Sequence, residues 1–118
     1  MPNIEEQNDK IKYQLKMVME TIDFQQYPIQ SMVLELDWNE DDLTKANDIF
    51  EEYNLKIENE EEINWTEFEL KLREQFDIGY QTVKIIILAF FRNHQWVNVC
   101  TGYANHYQVS EFDEILKK

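Results

Sequence analysis

Apolar side chains in this sequence recur at steps of three and four residues, the spacing that collects them on one face of an α-helix. The run IIILAFF (85–91) could also form a buried strand, but it lies in a long helix-compatible window without visible strand partners. Only 2 Gly and 2 Pro are present, fewer than sheet-rich folds need for their turns. We therefore predict an all-α fold, a single-domain multihelical bundle of about six helices over residues 1–118.

The first helix is predicted from about Asn3 to Ile22, and its apolar positions are spaced as in a coiled coil. Steps of four and three alternate along one line of residues, here called the N-terminal seam: Ile4, Asn8, Ile11, Leu15, Val18 and Ile22. This seam lasts about three heptads, the lower limit for predicting a coiled coil. Two interpretations remain open: the helix joins chains as an oligomerisation element, or it docks on its own domain.

Asn8 is the polar member of the N-terminal seam. In heptad terms Asn8, Leu15 and Ile22 take position a, and the other three residues take position d. A buried Asn at position a costs stability but fixes the register and the number of partners. Leu at a with Ile at d favours three or four helices over two.

Signals for helix starts follow along the chain. Pro28 suits the first turn of a second helix, where its missing N–H is not needed. Asn39 followed by Asp42 predicts a capped start for a third helix, and Asn64 followed by Glu67 does so for a fourth.

The fifth helix is predicted to lie near the centre of the bundle. Apolar residues cover most of its circumference: Val83, Ile86, Ile87, Phe90 and Phe91. A sixth helix is predicted within QWVNVCTGYANHY (95–107). Ser110 with Asp113 then predicts a capping box for a last helical segment, EFDEILKK (111–118).

The acidic stretch LKIENEEEINWTEFEL (55–70) raises the question of a calcium loop. An EF-hand loop has carboxylates at its first, third and fifth positions, Gly at the sixth and Glu at the twelfth. With Glu67 at the twelfth position, Glu58 and Glu60 fall at the third and fifth. Lys56 then takes the first position and Glu61 the sixth, so both requirements fail. We predict no metal site here.

Cys100 is the only cysteine, so an internal disulfide is excluded and nothing indicates secretion. His94 and His106 each lie six residues from it, a spacing that does not share a helical face. Structural zinc normally takes four ligands, which leaves this set incomplete. We predict a core position for Cys100 and no catalytic, cofactor-binding or metal-binding residues. A Cys–His nucleophile pair stays open, since such pairs meet in space rather than in sequence.

The charge of the chain limits its partners. A net charge of −13 disfavours direct contact with nucleic acid and with anionic membranes. The apolar fraction of 43% is high enough for a buried core, and no apolar run approaches the length of a membrane span. We expect a cytoplasmic protein.

Several strings in the sequence point to one family. They are TIDFQQYP, IQSMVLEL, WNEDDL, NWTEFELKLREQFD and FFRNHQWVNVCTGYANHY, with Thr21-Ile22-Asp23 and Tyr27-Pro28 as the chief matches. In these strings and in its helix pattern the chain resembles, over most of its length, the YhaI-like family of small proteins from Gram-positive bacteria. The resemblance implies an all-helical fold and carries no catalytic motif, because the family has no established activity.

The leading hypothesis is a non-enzymatic protein that self-associates or binds a protein partner through the N-terminal seam, without a cofactor. The alternative is an acidic decoy that occupies the basic surface of a nucleic-acid-binding protein. A weaker alternative is a small hydrolase that depends on Cys100 and the histidines or on a metal.

Overall fold

The computed structural model describes residues 3–23 and 25–117, and in these ranges the chain forms seven α-helices, one short 3-10 helix and no strand. The helices are α1 (Ile4–Met19), α2 (Pro28–Glu35), α3 (Glu40–Glu58), α4 (Trp65–Phe76), α5 (Tyr80–Arg92), α6 (Val97–Tyr107), the 3-10 helix (Ser110–Phe112) and α7 (Asp113–Leu116). The predicted all-α multihelical bundle is confirmed. Lys118, the last residue of the predicted C-terminal helix, lies outside the described residues.

The predicted caps of α3 and α4 are present. The Asp42 backbone N–H donates to Asn39 Oδ1 at 2.8 Å, and the Asn39 N–H donates back to Asp42 Oδ2 at 3.0 Å, which completes a capping box. At α4 the Glu67 N–H donates to Asn64 Oδ1 at 3.0 Å. These bonds satisfy backbone donors that a helix start otherwise leaves free, so they fix where both helices begin.

Helix α5 is the centre of the bundle, as predicted. It packs against α2, α4 and α6, and six of its residues are buried: Val83, Lys84, Ile86, Ile87, Ala89 and Phe90. The ring of Phe90 lies 4.6 Å from that of Phe50 on α3, and the Phe50 ring lies 5.2 Å from that of Phe68 on α4. These centroid distances are typical of favourable aromatic pairs, so three helices meet in one aromatic core.

The predicted capping box at Ser110 is wrong. Ser110 already lies inside the 3-10 helix, which Val109 precedes in extended conformation. The Ser110 hydroxyl contacts Glu111 Oε2 at 3.4 Å and does not cap a backbone N–H. The segment EFDEILKK therefore begins as part of a 3-10 helix and continues as the short helix α7.

The molecule is elongated, with principal extents of 60 × 28 × 20 Å and a radius of gyration of 16.2 Å. A compact domain of this length has a radius of about 13 to 14 Å. We attribute the difference to α1, a helix about 24 Å long. Helix α1 packs mainly against α2 and contains no buried residue. The rest of the bundle, from α2 to α7, is called the body below.

Candidate interaction surface on the N-terminal helix

Helix α1 is defined by its own local signals. The Glu6 backbone N–H donates to the side chain of Asn3 at 2.7 Å, which makes Asn3 the N-cap. The helix ends at Met19, three residues before the predicted end at Ile22. It ends there because the Thr21 hydroxyl and the Thr21 N–H both donate to the Val18 carbonyl, at 2.7 and 3.0 Å, and draw the chain into a turn.

The N-terminal seam is uncovered. Its four apolar residues within α1 keep a large part of their surface in solvent: Ile4 (76% exposed), Ile11 (52%), Leu15 (45%) and Val18 (54%). Asn8 is also exposed, and Ile22, in the turn after the helix, is partly buried. Within the described residues the body therefore does not cover this seam, and the burial proposed for Asn8 requires a second molecule.

Two further apolar residues of α1 were not part of the predicted surface. Tyr13 is 63% exposed and Met17 is 40% exposed. Tyr13 follows Ile11 by two residues, which places it about 200° away around the helix and on the opposite face. Tyr13 and Met17 each follow a residue of the seam by two positions. This spacing is not part of the three-and-four pattern, so the pattern did not predict these residues as surface contacts.

Charge is distributed unevenly along α1. Its three carboxylates, Glu5, Glu6 and Asp9, all precede its three cations, Lys10, Lys12 and Lys16. The helix is therefore neutral as a whole. The rest of the chain keeps 21 acidic and 8 basic residues and so carries the whole net charge of −13. Acid near the N-terminus and base near the C-terminus also suit the helix dipole.

The acidic stretch after α3 forms a helix end. Glu58 is the last residue of α3 and accepts a hydrogen bond from Asn54 Nδ2 at 3.2 Å, while Glu67 belongs to the first turn of α4. The positive φ falls on Glu60 (59°) rather than on Glu61, where an EF-hand would have its Gly. In residues 3–23 and 25–117, no three His, Cys, Asp or Glu side chains form a cluster that could hold a metal ion.

Cys100 lies in the core, with no exposed surface, and its thiol donates to the Ile87 carbonyl at 3.4 Å. Burial raises the pKa of this thiol well above its ordinary value, because a thiolate would lose its hydration. His94 and His106 are both exposed. A catalytic cysteine needs an accessible, stabilised thiolate, so this arrangement gives no support to Cys100 as a nucleophile.

Comparison with known proteins gave no matching family model, no similar curated protein and no similar solved structure. Membership of the YhaI-like family therefore rests on the strings quoted above and stays a prediction. None of the helices in the described part of the chain combines the length and apolar character needed to cross a lipid bilayer.

Proposed function

We propose that this protein acts by protein–protein contact and that the N-terminal seam is the contact surface. The observation that carries the proposal is a 16-residue helix without one buried residue, whose apolar seam faces solvent. Helices of this length are marginal in water unless an apolar face is packed, so α1 gains stability from a partner. Exposed apolar patches of this kind commonly mark interaction sites.

The partner that best fits α1 is a second copy of α1 in antiparallel orientation. Antiparallel pairing sets the acidic half of one helix, with Glu5 and Asp9, against the basic half of the other, with Lys12 and Lys16. Parallel pairing would set like charges side by side. Antiparallel pairing also sends the two acidic bodies to opposite ends of a helix about 24 Å long. That separation exceeds the screening length of about 8 Å at physiological salt.

This arrangement predicts an even number of copies, a dimer or a tetramer, related by two-fold symmetry. Each of the four exposed apolar side chains, already partly covered, contributes about 1 kcal/mol on burial. A dimer therefore gains about 8 kcal/mol, against a cost of association of about 4 kcal/mol or more. The net gain of about 4 kcal/mol or less corresponds to a dissociation constant of about 1 mM or weaker, so the oligomer depends on protein concentration.

Co-purification of two tagged copies tests this proposal. Two full-length chains with different C-terminal tags are mixed at about 1 mM, the expected dissociation constant, and are cross-linked chemically before one tag is used to recover both. Wild-type chains should recover each other, and the double variant Ile11→Ser/Leu15→Ser should not, because it places hydroxyls in the contact. Tyr13→Ser, a change on the opposite face of α1, is the matched control and should behave as wild type. Equal recovery with all three pairs would contradict the proposal.

The concentration of charge on the body supports a second candidate, the acidic decoy for a basic nucleic-acid-binding protein. Such binding would survive the double variant, because the seam is not involved. It would be lost on raising the salt from about 50 to 500 mM, since surface charges are screened over shorter distances at high salt. Retention of a basic partner at high salt would count against the decoy.

We further propose that the protein works without a cofactor, is not an enzyme and acts in the cytoplasm. The buried, protonated thiol of Cys100 supports the non-enzymatic interpretation. A sequence with one cysteine cannot form the internal disulfides typical of secreted domains, and this supports the proposed location in the cytoplasm.

A further inference from the structure

A cavity of about 290 Å³ lies between α4, α5, α6 and the segment that leads into the 3-10 helix. Its wall is mostly aromatic and apolar: Tyr80, Tyr103, Tyr107, Val109 and Phe112. Two cations, Arg73 and Lys84, and one carboxylate, Glu69, complete the lining. Outside α1 the chain has 8 basic residues and 21 acidic ones, so two cations in one apolar cavity are a local concentration of positive charge.

Among the residues that the structure describes, Arg73 is the cation of this cavity that has no ion-pair partner. Its Nε is buried and has no hydrogen-bond acceptor, and the described part of the chain offers it no carboxylate within 4.0 Å. Burial raises the pKa of the Tyr103 and Tyr107 phenols, and the positive charge of Arg73 opposes this rise in both. Arg73 and the two tyrosines line the same cavity. Buried donors in folded proteins nearly always have acceptors, so a guanidinium without one among the described residues is unusual and leaves its donors to a ligand.

Lys84 is the second cation, and it is only 8% exposed. Its Nζ lies 3.3 Å from Glu111 Oε1 and 4.9 Å from the centre of the Tyr80 ring. The Glu111 side chain is about half exposed, so this ion pair reaches from the cavity to solvent. Lysine is rarely buried to this extent unless its charge is paired, and Glu111 supplies the pair here.

Glu69 is the one carboxylate of the lining, and it is already engaged. The Tyr103 hydroxyl donates to Glu69 Oε1 at 2.9 Å. This bond keeps the Glu69 carboxylate next to Tyr103 of α6. An anionic ligand must therefore place its charge at Arg73, away from Glu69, with its apolar part against the tyrosines.

We propose that this cavity binds a small organic carboxylate with an apolar or aromatic body, whose oxygens accept hydrogen bonds from Arg73. The planar guanidinium presents parallel N–H donors that match both oxygens of a carboxylate. The aromatic wall supplies the apolar surface typical of small-molecule sites, and the volume limits the ligand to about one ring or a short chain. This site is independent of the N-terminal seam.

Titration of the full-length protein with benzoate, followed by amide NMR, tests the proposal. Benzoate should cause saturable shifts in residues 69–84 and 103–112, with a dissociation constant of about 1 mM or below. Benzyl alcohol, which has the ring without the charge, should bind about tenfold or more weakly, and so should benzylamine. No saturable shift with benzoate, or equal affinity for the three ligands, would overturn the proposal. Tighter binding of benzylamine would do so as well, because it would make Glu69 the dominant group.

Variants separate Arg73 from the general charge of the protein. Arg73→Gln should weaken benzoate binding about tenfold or more, while Lys45→Gln should leave it unchanged. Lys45 is an exposed cation on α3 paired with Asp41, so its loss changes the net charge equally without touching the cavity. Thermal unfolding of each variant checks that it is folded. Unchanged benzoate affinity in a folded Arg73→Gln variant would overturn the proposal, and the ligand series stands as a test if that variant does not fold.

Discussion

The indole of Trp65, at the start of α4, lies directly against the backbone of Gly102 in α6. A Cβ placed on Gly102 would overlap Trp65 Cζ2 and would lie 2.8 Å from Cη2. Real Cβ atoms do not approach ring carbons this closely, so only glycine permits the observed packing of α4 on α6. Trp65 in turn packs edge-on against Phe68, with centroids 5.6 Å apart, and against Tyr103, at 6.4 Å.

Gly102→Ala should therefore destabilise the protein. The added methyl forces the indole or the helix to move, which costs about 1–3 kcal/mol. The better helix propensity of Ala returns at most about 1 kcal/mol. Urea unfolding measures the difference. Asn105→Ala, at an exposed site of the same helix, is the control and should be neutral or slightly stabilising. A Gly102→Ala variant as stable as wild type would show that the contact is not tight in solution.

Glu60 offers the opposite case, a residue that glycine should improve. It follows the end of α3 with a φ of 59°, the left-handed conformation that commonly ends a helix and favours Gly. Glu60→Gly should raise the free energy of unfolding by about 1 kcal/mol, because an L-residue is strained there. Glu60→Gln removes the same charge and keeps the strain, so it should give a smaller gain. Equal gains from both variants would assign the effect to charge.

Alkaline pH should weaken the fold from about pH 9 upward. Burial raises the pKa of the Cys100 thiol above its ordinary value of 9.0. Burial also raises the pKa of three phenols above their ordinary value of 10.0, those of Tyr53, Tyr103 and Tyr107. The folded state therefore holds protons that the unfolded state releases above these ordinary values. Stability is complete below pH 9 and then falls, with a slope of up to about 1.4 kcal/mol per pH unit for each group.

Urea unfolding at pH 7, 9, 9.5 and 10.5 follows this loss. Cys100→Ala removes the group that loses its proton first in the unfolded chain. The free energy of unfolding of this variant should therefore stay constant up to a pH nearer 10. The comparison uses slopes with pH, because the smaller side chain lowers stability at every pH. Identical slopes in wild type and variant between pH 9 and 10 would contradict the assignment to Cys100.

The helices were predictable because their signals are local. Asn39 with Asp42 and Asn64 with Glu67 carry their caps in the sequence itself, and the apolar circumference of α5 requires a central position. The local signal gave a wrong prediction at Ser110, which lies in a 3-10 helix and does not cap a helix.

The candidate sites were predictable only in part. Periodicity shows that α1 has an apolar seam, but it does not show whether the body covers that seam, since this depends on where α1 leaves the bundle. The cavity at Arg73 had no sequence signal at all. The helical spacing of Tyr103 and Tyr107 predicts ordinary core positions. The cavity that they line forms only when α4, α5 and α6 pack together.

The central claim, that a second copy covers the N-terminal seam, is tested most directly by the molar mass in solution. Light scattering on the wild-type chain of 14.4 kDa, at about 50 μM and about 2 mM, brackets the expected dissociation constant of about 1 mM. We predict a mass that rises with concentration toward twice or four times the monomer value, and a monomer at both concentrations for Ile11→Ser/Leu15→Ser. A wild-type protein that is monomeric at both concentrations would contradict the account, and so would a trimer.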